Sequence, residues 1–411
     1  MDKNSRALYL SYDGMTDPLG QSQVLAYLRP MSEQGVEFDI ISFEKPHFFE
    51  TKKQMIENLI DGKKINWHPL LYTKKPPVIS TVKDIYKGWQ LIKSLYKKQH
   101  FDIVHCRGYI SAMLGLMAKR KYGSKFIFDM RGFFADEKKE SGYWQGSMYQ
   151  PVYKYFKYKE KQFFSESDFA ISLTHAGKVE IEKTFKVQDG KMAVIPTCVD
   201  FNVFKPFESA LRKMIREELN IPQDATVLLY SGSVGPNYRF DIIFNVFKKL
   251  CELRENCYLL IISHTDINEI KTEIKKADLT ESNIRITSSD YASVYRYLMA
   301  GDFGIIMYDK SYSALGRSPT KLAEYWACGL PFISRKGIGD LDYIIDKYPR
   351  GGVLIETIDD SGITIALKNL LNASYDKEAL RKYAIEYFDL QNGVRSYLAI
   401  YNNLTKSTIT K

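Results

Sequence analysis

The sequence predicts an α/β protein of two doubly wound domains facing a central cleft. Three observations carry that expectation. Short β-branched and aromatic runs alternate with longer amphipathic stretches; the alternation restarts after Pro196; and 411 residues exceed what one domain of about 100–200 residues holds. Strands separated by helices imply parallel sheets joined by right-handed crossovers.

In the first half the strand candidates are 7–11, 38–43, 65–70, 102–106, 125–130, 169–173 and 192–195. In the second half they are 227–231, 258–263, 283–287, 303–307, 331–334 and 352–355. Residues 22–34 and 240–253 read as amphipathic helices between them. The hinge falls around Pro196-Thr197-Cys198-Val199-Asp200, extending to Pro206, which divides the chain into 1–198 and 199–383. Residues 383–404 are helical in pattern and run into a polar Thr-Lys-Ser-Thr tail. Ligands of doubly wound sheets bind beyond the carboxyl ends of the strands, so chemistry is sought in strand-to-helix loops and in the cleft.

Composition narrows the function. With 45% apolar and 26% charged residues the chain is globular, and its formal charge of +9 is modest for its length. That excess suits an anionic ligand or a negatively charged membrane surface. Five scattered cysteines and six scattered histidines form no ligand spacing, which argues against a disulfide framework or a metal site. The apolar segment 7–12 is shorter than a secretory signal needs, and nowhere do about 18 uncharged apolar residues run together. A cytoplasmic protein, peripheral to the inner face of the membrane at most, is expected.

Ser318 to Pro331 (Ser-Pro-Thr-Lys-Leu-Ala-Glu-Tyr-Trp-Ala-Cys-Gly-Leu-Pro) reads as a helix with its punctuation. Ser318 suits the N-cap, Pro319 the first helical position, Gly329 a left-handed C′ residue, and Pro331 stops continuation. Lys321 does not fit a purely structural helix. It sits at the positive end of the dipole, where a cation costs about 0.3–1 kcal/mol. An anion at that terminus, such as a phosphate, removes the conflict. Glu324, three residues on, shares the face of Lys321 and can accept hydrogen bonds from vicinal ribose hydroxyls. A surface helix with a stray Lys–Glu pair fits the same residues.

The loop Gly232-Ser233-Val234-Gly235-Pro236-Asn237-Tyr238-Arg239 lets backbone approach a phosphate, with Arg239 as a charged partner. Gly20 closes the matching loop of the first half. Each of these also reads as an ordinary turn. Asp129, Arg131 and Asp136–Lys139 follow a first-half strand, as acceptor-side residues or as a solvated loop. His105 reads as a satisfied buried histidine. The stretch 143–164 interleaves tyrosines and phenylalanines with lysines, which suits either core packing or a membrane interface.

Residues 318–331 resemble the donor-binding motif of the family 4 glycosyltransferases, retaining enzymes of the GT-B fold. Weaker matches occur in the family's order: 101–105 and 127–132, Pro196–Asp200 with Phe204, Tyr230–Ser233, 300–305 and 337–340. The resemblance implies two Rossmann-like domains, with a C-terminal helix, 384–411, returning to the first. It implies Glu324 on the ribose, Lys321, Ser318 and Thr320 on the diphosphate, Gly232 and Ser233 beside the nucleotide, and Gly20 on the β-phosphate side. It also implies a metal-independent transfer needing no cofactor, with a nucleotide-diphosphate sugar as donor. The acceptor is then a glycan or lipid-linked molecule of bacterial cell-surface polysaccharide synthesis. Two positions depart from the family pattern. Gly316 stands where a first glutamate is common, and Arg131 where a histidine often precedes a glycine. Arginine cannot act as a base at neutral pH, so a catalytic contribution from Arg131 and Asp129 lies in binding charge or orienting substrate. A nucleotide-sugar epimerase of the same fold and a non-catalytic nucleotide-sugar-binding protein are the alternatives. No nucleic-acid motif is present and the lysines form no basic arm.

Overall fold

The computed structural model describes residues 5–235 and 238–406; Pro236 and Asn237 of the expected phosphate loop, and the end of the polar tail, lie outside them. Two compact units form, Met1–Pro196 with Leu390–Lys411 and Thr197–Asp389.

The first unit holds a parallel seven-stranded sheet: β1 (Arg6–Ser11), β2 (Glu37–Glu44), β3 (Ile65–Leu71), β4 (Ile103–Arg107), β5 (Lys125–Asp129), β6 (Phe169–Ser172) and β7 (Met192–Val194). Their order is β3-β2-β1-β4-β5-β6-β7, so the direction of winding switches between β1 and β4. The second unit holds six parallel strands: β8 (Thr226–Ser231), β9 (Cys257–Ile262), β10 (Ile284–Thr287), β11 (Phe303–Ile306), β12 (Phe332–Arg335) and β13 (Gly352–Ile355). There the order is β10-β9-β8-β11-β12-β13, with the switch between β8 and β11. All thirteen runs expected from the pattern are strands, because parallel strands covered on both faces read as nearly unbroken apolar segments. Leu259, Leu260 and Ile261 of β9, for example, are all fully buried.

Five helices matter below: α1 (Ile79–Lys98), α2 (Gly108–Tyr122), α3 (Gln150–Glu166), α4 (Phe240–Leu253) and α5 (Thr320–Ala327). The crossovers β3→β4, β4→β5 and β5→β6 all step the same way across the sheet. Right-handed connection therefore places α1, α2 and α3 side by side on one face, where α2 packs against both neighbours.

Two local expectations are corrected. The helix expected over 22–34 starts at Pro18, passes through a wide turn at Gln21–Leu25 and continues as Ala26–Glu33. The helical pattern over 383–404 is two helices, Lys377–Phe388 and Leu390–Lys406. Asp389 is extended between them because Val199 pairs with it and donates its N–H to the Phe388 carbonyl at 2.9 Å. Residues 384–388 thus belong to the second unit and only the last helix to the first. Of the two readings of 143–164, core packing holds for one side of α3. Phe156, Phe163 and Phe164 of α3 are buried, while Tyr155 and Tyr158 are exposed.

Candidate functional site

α5 begins one residue later than the punctuation implied. Pro319 takes the N-cap position, offers no side-chain bond, and no acidic residue follows in the first turn. The expected cap, Ser318, turns away: its Oγ accepts from the Thr197 N–H at 3.2 Å and lies 2.9 Å from Thr197 Oγ1. Thr320 is the first helical residue and is partly exposed. At the other end Gly329 adopts φ +72°, the left-handed conformation expected of it.

Lys321 is 5% exposed, and its Nζ has no hydrogen-bond partner among the described residues. It lies over the rings of Tyr230 at 4.0 Å, Tyr238 at 4.7 Å and Tyr308 at 5.9 Å. Tyr230 belongs to β8, Tyr238 follows β8 and Tyr308 follows β11, so the ammonium sits at the switch point of the sheet. A desolvated cation–π contact contributes about 2 kcal/mol, less than the several kcal/mol lost by burying an unpaired ion. Burial accordingly pulls the Lys321 ammonium down to about 7, opposed by Glu324. Burial also pushes the Glu324 carboxyl up to about 7, opposed by Lys321. Glu324 thus eases the burial of the Lys321 charge without hydrogen-bonding its Nζ.

Gly232 makes room for this arrangement. Its φ is +135°, and a Cβ there would stand 3.0 Å from Lys321 Nζ. Ser233 accepts a 2.6 Å bond from Tyr230 Oη through its carbonyl, and the Ser231 N–H donates to Tyr325 Oη at 3.0 Å. The second of these bonds ties α5 to the carboxyl end of β8. Arg239 is engaged differently from expectation. Its guanidinium pairs with Asp241, Nε–Oδ1 2.8 Å, and with Asp309, so its charge is already matched. Sequence reasoning missed the tyrosine cage, although each member sits in or just after a strand flanking the switch point.

In the first unit, Gly20 abuts the Gly14 carbonyl so closely that any Cβ would clash. The loop between them is held by Glu44, which is fully buried and accepts from the Met15 N–H at 2.7 Å, the Thr16 N–H at 3.0 Å and the Thr16 and Ser42 hydroxyls. Nothing in the local sequence marks Glu44, since its N–H partners come from another strand-end loop. Asp129 is fully buried behind Arg131, Oδ1–Nη1 3.4 Å, and accepts from Tyr397 Oη at 3.0 Å. Burial opposes its charge, yet Arg131, His105 and Arg107 hold its carboxyl well below the usual range. His105 is buried, with Nδ1 2.8 Å from Tyr401 Oη, and burial lowers its pKa. Arg131 keeps a buried Nε without a partner among the described residues. Asp136 is buried and bonded to Tyr153 and Lys157. Among the described residues no three His, Cys, Asp or Glu side chains are grouped to hold a metal ion.

Residues 20–203 match the family described as Glycosyltransferase Family 4, and residues 212–387 the one described as Glycosyl transferases group 1. A D-inositol 3-phosphate glycosyltransferase of Catenulispora acidiphila is 21% identical over 309 residues, covering 72% of this chain and 68% of that protein. Sucrose-phosphate synthase from Thermosynechococcus elongatus superposes with a TM-score of 0.75 at 15% identity, over 98% of this chain and 100% of the other. The Anabaena protein HepE, solved with UDP and glucose, gives a TM-score of 0.69 at 11% identity, over 96% of this chain and 99% of the other. With the sheet orders above, these matches assign the chain: it belongs to the family 4 glycosyltransferases and has the GT-B fold.

Proposed function

We propose that this enzyme moves a sugar from a nucleoside diphosphate to a hydroxyl of a glycan or lipid-linked acceptor of the cell surface, with retention at the anomeric carbon. The observation that carries the reading is the buried Lys321 ammonium, unpartnered among the described residues and beside a helix N-terminus with no acidic residue in its first turn. A diphosphate matches that arrangement in charge and in acceptor oxygens. Glu324 takes the ribose hydroxyls, while Ser318, Thr320, Gly232 and Ser233 border the nucleotide. HepE, which shares the fold, is described as bound to UDP and glucose, and this supports a nucleotide-linked donor.

In the transfer, the bond from C1 to the diphosphate oxygen breaks and the acceptor oxygen bonds to C1 from the same face. The acceptor proton passes to the departing diphosphate. Lys321 and the first-turn N–H groups stabilise the negative charge that grows on the leaving group. Arg131, backed by Asp129, orients substrate as a fixed cation. Because this chain supplies that positive charge itself, we assign no metal to the step. Activity is expected to survive EDTA; loss that Mg²⁺ or Mn²⁺ restores contradicts the assignment.

A thermal-shift panel of UDP-, GDP-, ADP- and TDP-sugars tests the donor class. A ligand present at 100 times its Kd stabilises the folded state by about 2.7 kcal/mol. One nucleotide is expected to raise the melting temperature of the wild type and to leave Lys321→Gln unmoved. No shift with any of them overturns the reading.

A further inference from the structure

We infer that the outer face of the α1–α2–α3 layer docks on an anionic membrane. Together the three helices carry twelve lysines and arginines against three carboxylates, an excess of nine that equals the net charge of the whole chain. The rest of the molecule is therefore balanced. Asp84, Glu160 and Glu166 each match one of those cations, Lys87 at 3.4 Å, Lys157 and Arg120 respectively, and Lys119 pairs with Asp168 at 2.6 Å. Lys83, Lys93, Lys97, Lys98, Lys121, Lys154, Lys159 and Lys161 keep their charge without an ion pair among the described residues.

Between the lysines the same face presents Ile79, Val82 and Tyr86 of α1, Met117 of α2, and Tyr155 and Tyr158 of α3, each 37% to 64% exposed. Tyrosines with lysines are the composition of the headgroup region, where rings lie at the interface and ammonium groups meet lipid phosphates. The aliphatic residues favour lipid over nucleic acid: Ile79, Val82 and Met117 gain from entering an acyl boundary and have no base to stack on. Lys157 is not one of the docking lysines, because it is tied to Asp136 at 2.8 Å and to Glu160. None of the donor-site residues lies on these three helices.

Flotation of the full-length enzyme with phosphatidylcholine vesicles, with and without phosphatidylglycerol, tests it. Lys83, Lys97, Lys154 and Lys161 are exposed and have no ion pair among the described residues. Reversing all four to Glu should weaken binding to phosphatidylglycerol vesicles by at least about a hundredfold. Reversing exposed Lys213, Lys275, Lys368 and Lys382 of the second unit to Glu changes net charge equally and should weaken it by less than about threefold. Val82→Ser with Tyr86→Ser, Tyr155→Ser and Tyr158→Ser should also reduce binding while the melting temperature holds. Equal losses in the two lysine sets, no binding to phosphatidylglycerol, or tighter binding to RNA than to vesicles overturns the inference.

Discussion

Lys321 concentrates the chemistry at the scale of single residues. Replacing it with Gln removes one charged donor from the leaving group, and kcat/KM should fall by about 10²–10³. Stability should not fall with it, since the wild-type ammonium is buried with no hydrogen-bond partner among the described residues. The pH dependence has a definite sign. The folded pKa, about 7, lies below that of an unfolded lysine, so the unfolded chain binds more protons between about 7 and 10.4. The penalty of burying Lys321 is therefore fully present below pH 7 and disappears as pH rises through that window. A Lys321→Met variant should be more stable than wild type at pH 6, with the advantage gone near pH 10, by urea unfolding. Donor binding needs the ammonium, so the KM for the donor should rise above pH 7. Lys321→Arg, which stays charged, should lose that alkaline rise. The misfit of Lys321 with the helix dipole was visible in the sequence. The rings of Tyr230, Tyr238 and Tyr308 were not, because they meet only when loops from different strands converge.

Secondary-structure elements were legible where the period was strong. Each strand of both sheets appears as an apolar run, and 240–253 is α4 as its amphipathic pattern implied. Legibility failed where a tertiary bond overrides local preference. Asp389 looks helical in its neighbourhood, but its pairing with Val199 holds it extended. Ser318 looks like a cap, but Thr197 claims its hydroxyl. Glu44 shows the same principle at the end of β2, where a carboxylate from one strand organises the loop after another. Glu44→Ala leaves the Met15 and Thr16 N–H groups unsatisfied and should cost about 3 kcal/mol by chemical denaturation. Glu44→Gln keeps the shape and one acceptor oxygen and should recover part of that loss. A cost under about 1 kcal/mol for Glu44→Ala would show that the loop holds itself.

For the whole molecule, the two sheets repeat one winding scheme, each with a switch beside its first strand, β1 against β4 and β8 against β11. The units are not simple halves of the chain, since the helix Leu390–Lys406 completes the first. From it Tyr397 reaches Asp129 and Tyr401 reaches His105. Deleting 390–411 strands a buried carboxylate and an imidazole, so calorimetry of the truncated chain should show the first unit melting lower and the second unchanged. Equal melting of both would mean that the helix is dispensable. The measurement that bears most directly on the account is a crystal structure with a nucleoside diphosphate bound. It should show diphosphate oxygens within about 3 Å of Lys321 Nζ and of the first N–H groups of α5, with Glu324 on the ribose. Diphosphate bound elsewhere, with Lys321 still enclosed by its three tyrosines, would contradict it.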